Sequence, residues 1–310
     1  MKRVAAIDCG TNSIRLLIAQ VGADGTLVDL DRRMQVVRLG QGVDATGRLA
    51  PEALARTFAA AREYAAAIAA AEVDGVRVVA TSATRDASNR AEFEVGMAEI
   101  FGVAPEVVPG EVEAALSFAG ATSGLAAAGV AAPYLVVDIG GGSTEFVLGT
   151  EAPLAARSVD VGCVRMRERR LLDDPPTAAQ IDAATSDIDA AIAQAAAVVP
   201  LDGAASLIGV AGTVTTLTAI ALGLQSYDPE AIHRARVPAA KVRAIAARLL
   251  GLTRAERAAI PVMHPGRVDV IAAGALVLER VLAATGAAEL IASEHDILDG
   301  IAASVLGPRG

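Results

Sequence analysis

The stretch VVDIGGGSTEF, residues 136–146, decides how this sequence is interpreted. An apolar run delivers one aspartate, which is followed by three glycines, two hydroxyl residues and a glutamate. Three adjacent glycines cost backbone entropy on folding, so the fold must require a bare backbone there. The segment is either a tight hairpin turn or a loop whose backbone N–H groups bind an anion such as phosphate.

A second copy of this pattern near the N-terminus indicates an internal repeat. VAAIDCGTNSIRLLI, from Val4, aligns with YLVVDIGGGSTEFVL, from Tyr134, so that Asp8 falls on Asp138. VVATSATR and IGVAGTVTT align at nearly the same offset. Two such pairs predict two similar halves. Facing halves would form a cleft, and we expect the boundary near residues 120–132.

The rest of the chain alternates short strand-like runs with alanine-rich helical runs, which is typical of an α/β architecture. The periodicity predicts helices over residues 51–72, 88–101, 111–128, 177–198, 238–251 and 267–285. Two uncharged stretches, 114–137 and 203–227, are long enough to span a bilayer. Glycines interrupt both of them, so we expect buried core segments instead.

Composition restricts the partners and the compartment. The net charge of −9 argues against a nucleic-acid or anionic-membrane surface. Nearly all of the cations are arginines, which suit phosphate, although genomic base composition would give the same bias. Arg38, near Arg32 and Arg33, belongs to a candidate positive patch on the path of a polyanion. Cys9 and Cys163 form no disulfide framework, so we expect a reducing, cytoplasmic location without a signal peptide.

Acidic residues recur at the same place in both glycine loops. A carboxylate beside a phosphate-binding loop is electrostatically unfavourable unless a divalent cation lies between them. Asp8, Asp138 and Glu145 are therefore candidate ligands of Mg²⁺, or of Mn²⁺ in its place, directly or through water.

Phosphate itself is expected to contact backbone N–H groups, hydroxyls and one arginine at the ends of the strands. These candidates are Gly10, Thr11, Asn12, Ser13, Thr84, Arg85, Gly140, Gly141, Gly142, Ser143, Thr144, Gly212 and Thr213. Arg85 could equally pair with Asp86 on the surface.

Glu111 and Glu113 fall in the first turn of a predicted helix, where acidic residues ordinarily favour the helix dipole. Glu113 also lies at the join of the two halves, before the strand that delivers Asp138, so it is a candidate for a role at the cleft. The histidines His233, His264 and His295 lack a metal-ligand spacing and are interpreted as structural or substrate-adjacent.

The chain resembles the exopolyphosphatase / guanosine pentaphosphate phosphohydrolase family of the actin-like ATPase and sugar kinase superfamily. The motifs that carry the resemblance span essentially the whole chain: AIDCGTNSIRLLIA, VRLGQG, ATSATRDA, GEVEAALSFAGA, VVDIGGGSTEFVLG, DVGCVRMRER, GVAGTVTTLTAI, MHPGRVDVIAAGALVLERVL and SEHDILDGI. It implies two actin-like, ribonuclease H-like α/β domains with an interdomain cleft. The first would comprise residues 1–122 plus about 294–310, and the second residues 123–293.

The activity that the resemblance implies is Mg²⁺-dependent release of terminal phosphate from inorganic polyphosphate, or of the γ-phosphate from guanosine pentaphosphate, an alarmone of the stringent response. Glu113 matches the glutamate that orients and deprotonates the attacking water. Asp138 and Glu145 match the metal-associated acids. Arg85, Arg165 and Arg267 match arginines on the polyanion path.

Two departures from the family pattern affect substrate binding. Leu298 stands where many members have arginine, which puts a phosphate contact there in doubt. The chain also ends where longer members add a helical domain, so binding of long polyphosphate is expected to be weaker or to depend on a homodimer. Two alternatives stay open: a metabolite kinase of the same superfamily, and a non-catalytic sensor of polyphosphate or alarmone.

Overall fold

The computed structural model describes residues 2–22 and 26–305, and the chain divides into two compact units. Unit 1 takes the described residues up to Gly120 together with those from Ile297 onward. Unit 2 takes Ala121–Asp296. Each unit contains one β-sheet that packs against helices, so the predicted α/β class is confirmed.

Strands and helices follow one another along the chain. The strands are β1 (Lys2–Cys9), β2 (Ser13–Val21), β3 (Leu27–Val36), β4 (Gly75–Ala80), β5 (Glu106–Val107), β6 (Tyr134–Ile139), β7 (Thr144–Gly149), β8 (Pro153–Val159), β9 (Ser206–Val210), β10 (Arg236–Pro238) and β11 (Glu289–Ala292). The helices are α1 (Val43–Thr46), α2 (Pro51–Ala71), α3 (Ser82–Asp86), α4 (Arg90–Phe101), α5 (Gly110–Thr122), α6 (Cys163–Arg169), α7 (Ala178–Ala196), α8 (Ala211–Leu222), α9 (Pro229–Ile232), α10 (Ala239–Gly251), α11 (Arg254–Ala258), α12 (Ile271–Thr285) and α13 (Ile297–Ser304).

The two sheets repeat one topology. The strand order is β3-β2-β1-β4-β5 in unit 1 and β10-β11-β9-β6-β7-β8 in unit 2. In each unit an antiparallel hairpin, β1–β2 or β6–β7, is followed by a parallel neighbour, β4 or β9. Asp8 pairs with Val79 in the parallel ladder of unit 1, and Asp138 pairs with Val210 in that of unit 2. The two units therefore share the internal repeat predicted from the sequence, because Asp8 and Asp138 occupy equivalent positions in their parallel strand pairs.

The burial of each strand explains how clearly it can be predicted from the sequence. All residues of β6 and β7 are buried, and they read as continuous apolar runs because both faces of the sheet are covered. The edge strand β3 is largely exposed and carries mixed polar residues, so its pattern is weaker. Neither β3 nor β8 was predicted from the sequence, nor was the short helix α6.

Two predicted helices differ in length from the observed ones. The helix predicted over 111–128 ends at Thr122 because turns follow, in which Gly124 and Gly129 have positive φ angles. The helix predicted over 267–285 begins at Ile271, after a separate 3₁₀ turn, Pro265–Arg267. Proline at the first position of that turn suits the start of a new helical segment.

The uncharged stretches 114–137 and 203–227 form helix, turn and strand in the core, as expected. Among the described residues, no helix has the length and apolar character needed to cross a membrane.

Candidate active site

The glycine loop of unit 2, residues 140–143, connects β6 to β7, and every carbonyl group in it accepts a hydrogen bond. The bonds, donor first, are Gly140 N to Ser143 O (3.0 Å), Cys163 N to Gly140 O (3.0 Å), Val164 N to Gly141 O (2.8 Å) and Arg165 Nε to Gly142 O (2.7 Å). Residues in the first turn of α6 thus donate hydrogen bonds to the carbonyl groups of Gly140, Gly141 and Gly142. Within the described part of the chain, the N–H groups of Gly141, Gly142 and Ser143 have no acceptor. Consecutive N–H groups of this kind can form an anion-binding nest.

Close backbone approach explains part of the glycine content. A Cβ at Gly162, just before α6, would lie 2.5 Å from the Gly141 carbonyl oxygen. A Cβ at Gly140 would lie 3.1 Å from the Ser143 carbonyl oxygen. Gly162 therefore allows α6 to pack closely against the loop, and Gly140 allows the loop to close on Ser143.

The corresponding loop of unit 1, residues 10–13, has the same closure, from Gly10 N to Ser13 O at 3.0 Å. Its carbonyls also accept from the segment that follows the hairpin. These bonds are Gly40 N to Thr11 O (2.8 Å), Val37 N to Asn12 O (3.1 Å) and Arg38 N to Asn12 O (2.9 Å). Both loops are therefore held by the chain segment that follows the third strand of their sheet.

Arg38 and Arg165 occupy equivalent places in the two units, a relationship that was not recognised from the sequence. Arg38 follows β3 and Arg165 follows β8, the third strand of each unit. The backbone N–H of Arg38 donates to the Asn12 carbonyl, and that of Arg165 donates to the Gly141 carbonyl. Arg38 has a φ of 52°, an uncommon backbone conformation for arginine. Such strain persists only where the surrounding structure holds it, and it clusters at functional sites.

Several of the predicted hydroxyl groups already have protein partners. The Thr144 hydroxyl donates to the Val161 carbonyl at 2.6 Å, which ties β7 to the segment before α6. Thr11 Oγ1 and Ser82 Oγ lie 2.9 Å apart, so the unit 1 loop is linked to α3. Thr84 is fully buried, and its hydroxyl has no hydrogen-bond partner among the described residues. Phosphate contacts by these hydroxyls stay predictions.

The candidate metal-associated acids have different surroundings in the two units. Asp138 and Glu145 lie directly opposite each other on β6 and β7, and both are buried (7% and 1% exposed). Glu145 also accepts a hydrogen bond from Ser158 at 2.7 Å. In unit 1, Asp8 instead lies opposite Arg15 and forms an ion pair with it at 2.6 Å.

These surroundings determine how well each acid suits a metal. Like charges directly opposite on paired strands are destabilising, and a hard divalent cation would offset that repulsion with its preferred oxygen ligands. Asp138 and Glu145 are therefore oxygen donors of the kind that Mg²⁺ prefers, and Asp8 forms an ion pair with Arg15. No group of three or more His, Cys, Asp or Glu residues forms a metal site in the ranges 2–22 and 26–305.

Glu113, the candidate base, is paired with Arg85 inside unit 1. The guanidinium of Arg85, on α3, donates to Glu113 Oε2 at 3.1 Å and to the Val108 carbonyl at 2.8 Å, both from Nη1. Glu113 lies in the first turn of α5 and is buried, while Glu111 in the same turn is exposed. The ion pair brings together two residues for which the sequence predicted separate roles.

The first turn of α8, which directly follows β9, contains the candidates Gly212 and Thr213 of unit 2. Ala211 has a φ of 66°, which is strained for a residue with a side chain. A Cβ at Gly212 would lie 1.1 Å from Arg267 Nη1, so the guanidinium of Arg267 rests directly on the Gly212 backbone. Thr213 is buried beside Gly274, whose Cβ would lie 2.4 Å from Thr213 Oγ1.

Neither cysteine is set up as a nucleophile. Burial, and then the negative charge of Asp8, raise the pKa of Cys9. Burial also raises the pKa of Cys163, against opposing contributions from Arg267 and Thr213. Both thiols are buried, and they stay protonated at neutral pH.

Leu298 occupies the core of unit 1, at the position where many family members have arginine. It is 1% exposed and belongs to an apolar cluster with Val4 and Leu17. The next residue, Asp299, forms an ion pair with Arg32 at 2.6 Å. In this chain the position therefore stabilises α13 against the sheet.

Three comparisons with known proteins agree with this geometry. A model of the Ppx/GppA phosphatase family matches residues 17–307. A relative named Exopolyphosphatase 2, from Mycobacterium tuberculosis, is 50% identical over 319 aligned residues, which cover 99% of each chain. The solved structure of the Aquifex aeolicus PPX-GPPA enzyme superposes with a TM-score of 0.81 at 29% identity and covers 98% of this chain and 99% of its own. An exopolyphosphatase from Cytophaga hutchinsonii superposes with a TM-score of 0.85 at 26% identity and covers 96% of each.

The chain belongs to the Ppx/GppA phosphatase family. The expected resemblance and the actin-like fold class are thereby confirmed.

Proposed function

We propose that this protein is an exopolyphosphatase, a hydrolase that releases terminal phosphate from inorganic polyphosphate. The observation that carries the proposal is the pair of loops at residues 10–13 and 140–143, whose carbonyl groups are bonded within the protein. Loops of this kind offer donors to a polyanion. The full-length similarity to a relative named Exopolyphosphatase 2 supports polyphosphate as that polyanion.

Binding would rest on backbone N–H groups and arginines. Each unit supplies one loop, and the guanidinium groups of Arg38, Arg165 and Arg267 would neutralise phosphate oxygens along the chain of the substrate. Arginine suits this role because its planar fork matches two phosphate oxygens at once. Phosphoryl transfer is catalysed mainly by such positioning and charge stabilisation.

Glu113 would act as the general base. Its carboxylate accepts one proton from a water molecule while the water oxygen forms a bond to the terminal phosphorus. The bond from that phosphorus to the bridging oxygen breaks, and the shortened polyphosphate leaves with the electron pair. Arg85 fixes the orientation of the Glu113 carboxylate before the substrate arrives. A positioned base contributes about 10²–10⁴ in rate.

Asp138 and Glu145 are the residues that would hold Mg²⁺, or Mn²⁺ in its place. When bound, the cation supplies additional positive charge for the phosphate oxygens. Asp8, in its ion pair with Arg15, would contact the cation through water.

The same chemistry would extend to the γ-phosphate of guanosine pentaphosphate, and only in that case would the protein take part in the stringent response. A cytoplasmic location and a homodimer are further proposals, and light scattering on the purified protein checks the homodimer. The net charge of −9 continues to argue against nucleic acid as a partner.

A substrate panel tests the proposal. Released phosphate is measured from short polyphosphate, long polyphosphate, guanosine pentaphosphate and ATP, with and without Mg²⁺, for the wild type, Glu113→Gln and Glu111→Gln. We expect polyphosphate to be hydrolysed, Glu113→Gln to lose about 10²–10⁴ in turnover and the exposed Glu111→Gln to match the wild type.

The other outcomes identify the alternatives. Near-normal turnover by Glu113→Gln removes that residue from the role of base. Tight binding of polyphosphate without phosphate release would indicate a sensor. Phosphate transfer from ATP to an added metabolite would indicate a kinase.

A further inference from the structure

Arg267 is carried by a short turn whose geometry depends on His264. The turn is the 3₁₀ segment Pro265–Arg267, and His264 stands at its N-cap position. Nδ1 of His264 accepts the Gly266 N–H at 3.1 Å. The His264 carbonyl also accepts the Arg267 N–H at 2.9 Å. Both the side chain and the backbone of His264 therefore fix the turn.

The imidazole of His264 takes the N-cap position that Ser, Thr, Asp or Asn more commonly occupies. Nδ1 lies three bonds from Cα, as does the side-chain oxygen of asparagine, which often accepts the N–H two residues ahead in turns. The contact requires Nδ1 without a proton, so the neutral ring carries its hydrogen on Nε2. Partial desolvation of the otherwise exposed ring, and then the positive charge of Arg267, lower the pKa of His264, which favours this neutral form.

The far side of the turn is anchored independently. Arg257 is buried (4% exposed) and donates through Nε to the Val268 carbonyl at 3.1 Å. The Val270 N–H bonds the Arg267 carbonyl at 3.0 Å. The backbone of Arg267 is thus held from both directions, and His264 supplies the hold on its N-terminal side.

From this fixed backbone, the Arg267 side chain reaches the start of α8, where it is closely packed. The guanidinium of Arg267 rests on Gly212, in the first turn of α8, where even a methyl group would collide with it. Cations are ordinarily disfavoured at the N-terminus of a helix because the helix dipole is positive there. The turn capped by His264 fixes the backbone from which the Arg267 side chain reaches this helix terminus.

We propose that His264 is a positioning residue that holds Arg267 against the loop at Gly212 and thereby sets the affinity for a polyphosphate substrate. This inference rests on the proposed function, because it assigns the polyanion contact to Arg267. Loss of the cap leaves the charge of Arg267 intact but lets its backbone and side chain sample other conformations. Substrate binding should weaken while the chemical step at Glu113 continues.

The test compares three variants that change a cap. His264→Ala removes the acceptor, and His264→Asn restores an acceptor at the same reach. Thr177→Ala is the control, because the Thr177 side chain caps α7, a helix that carries none of the candidate site arginines and none of the residues that hold the Arg267 turn. KM and kcat for a short polyphosphate and the thermal midpoint are measured for each.

We expect His264→Ala to raise KM by about 3- to 10-fold at unchanged kcat, less than the about tenfold or more for a fully lost hydrogen bond to a charged group, because the charge of Arg267 remains. His264→Asn should recover most of the affinity, and Thr177→Ala should lower the thermal midpoint without changing KM. Equal KM values for His264→Ala and Thr177→Ala would overturn the inference. So would a His264→Asn variant as weak as His264→Ala, since the cap would then be irrelevant.

A binding measurement separates this inference from the proposed function. Calorimetry with tripolyphosphate is carried out on the same variants in the Glu113→Gln background, where turnover is slow. If the wild type releases phosphate from none of the substrates, the proposed exopolyphosphatase activity fails. The calorimetric affinities then still decide whether His264 positions Arg267, by the same ranking of the variants.

Discussion

The guanidinium of Arg85 donates to Glu113 Oε2 at 3.1 Å and to the Val108 carbonyl at 2.8 Å through a single nitrogen. The candidate base is thus neutralised by an arginine that a polyphosphate would also attract. The carboxylate and the phosphate then compete for one guanidinium, and substrate binding would loosen the hold of Arg85 on Glu113.

Arg85→Lys tests the importance of the fork-shaped group. Lysine keeps the positive charge but presents it as a point charge without the rigid geometry of guanidinium. We expect kcat to fall by about 10- to 100-fold, less than the about 10²–10⁴-fold for loss of a general base because Glu113 itself remains, with little change in the thermal midpoint. Arg90→Lys is the control, because Arg90 forms only an exposed pair with Glu94 at 3.8 Å. Wild-type turnover in Arg85→Lys would contradict this role.

Gly162→Ala tests the packing that shapes the glycine loop. The added methyl would lie 2.5 Å from the Gly141 carbonyl oxygen, so α6 and the loop must move apart. We expect a loss of about 1–3 kcal/mol in unfolding free energy, as for an overpacked site, together with loss of phosphate release. Denaturant unfolding and an activity assay measure the two effects.

Gly251→Ala is the control for that substitution. A Cβ there meets nothing within 4 Å, and Gly251 ends α10 without a positive φ. Alanine should therefore be neutral or slightly stabilising. Equal behaviour of the two variants would show that the contact with Gly141 has no importance.

Mg²⁺ should stabilise the protein through Asp138 and Glu145. A ligand that binds only the folded state raises stability by about 2.7 kcal/mol at one hundred times its dissociation constant. We expect Mg²⁺ to raise the thermal midpoint of the wild type and to have a much smaller effect on Glu145→Gln. The exposed Glu151→Gln, in the following turn, should respond as the wild type does.

Acid should weaken the contact of Asp174 with α11. Burial alone would raise the pKa of Asp174, but hydrogen bonds from the Arg254 N–H and from Arg257, with the charge of Arg257, hold that pKa below its usual value. The carboxylate lies 2.5 Å from the buried Arg257. Because the pKa of Asp174 is lower in the folded state, the carboxylate stabilises the fold at pH values above its unfolded-state pKa, which is about 3.9 for aspartate. That stability is lost as the pH falls from there through the folded-state pKa.

Asp174→Asn should therefore reduce the free energy of unfolding by about 0.5–1.5 kcal/mol at pH 7, less than for a buried hydrogen bond to a charged group, because solvent screens the partly exposed Asp174 side chain. The difference from the wild type should disappear in strong acid, where Asp174 is protonated in both states. Urea unfolding at several pH values measures it. A difference that stays constant down to strong acid would exclude the charge as its cause.

The internal repeat was predictable because the same residue types recur in the same order in both halves of the sequence. Aspartate, glycine and hydroxyl residues recur after an apolar run, and the strand register reproduces the alignment of Asp8 with Asp138. Buried strands such as β6 were equally clear, since a short continuous apolar run is typical of a strand that is covered on both faces.

Contacts between distant segments were not predictable from local pattern. Nothing near Glu113 in the sequence indicates that Arg85, 28 residues earlier, would pair with it. The bonds from α6 to the glycine loop also depend on tertiary structure, and the run RMRERR suggested a charged surface more than a supporting helix. The positive φ of Ala211 is a further case, because alanine gives no signal for that conformation.

The bonded carbonyls of residues 140–143 have a consequence for selectivity among anions. A loop that offers donors alone responds to negative charge and tetrahedral shape. Arsenate, vanadate and sulfate present the same outline of oxygens as phosphate does. As the proposed phosphate site, the loop would therefore accept oxyanions as a class, and the choice of one element over another would depend on reactivity and on the arginines further along the substrate.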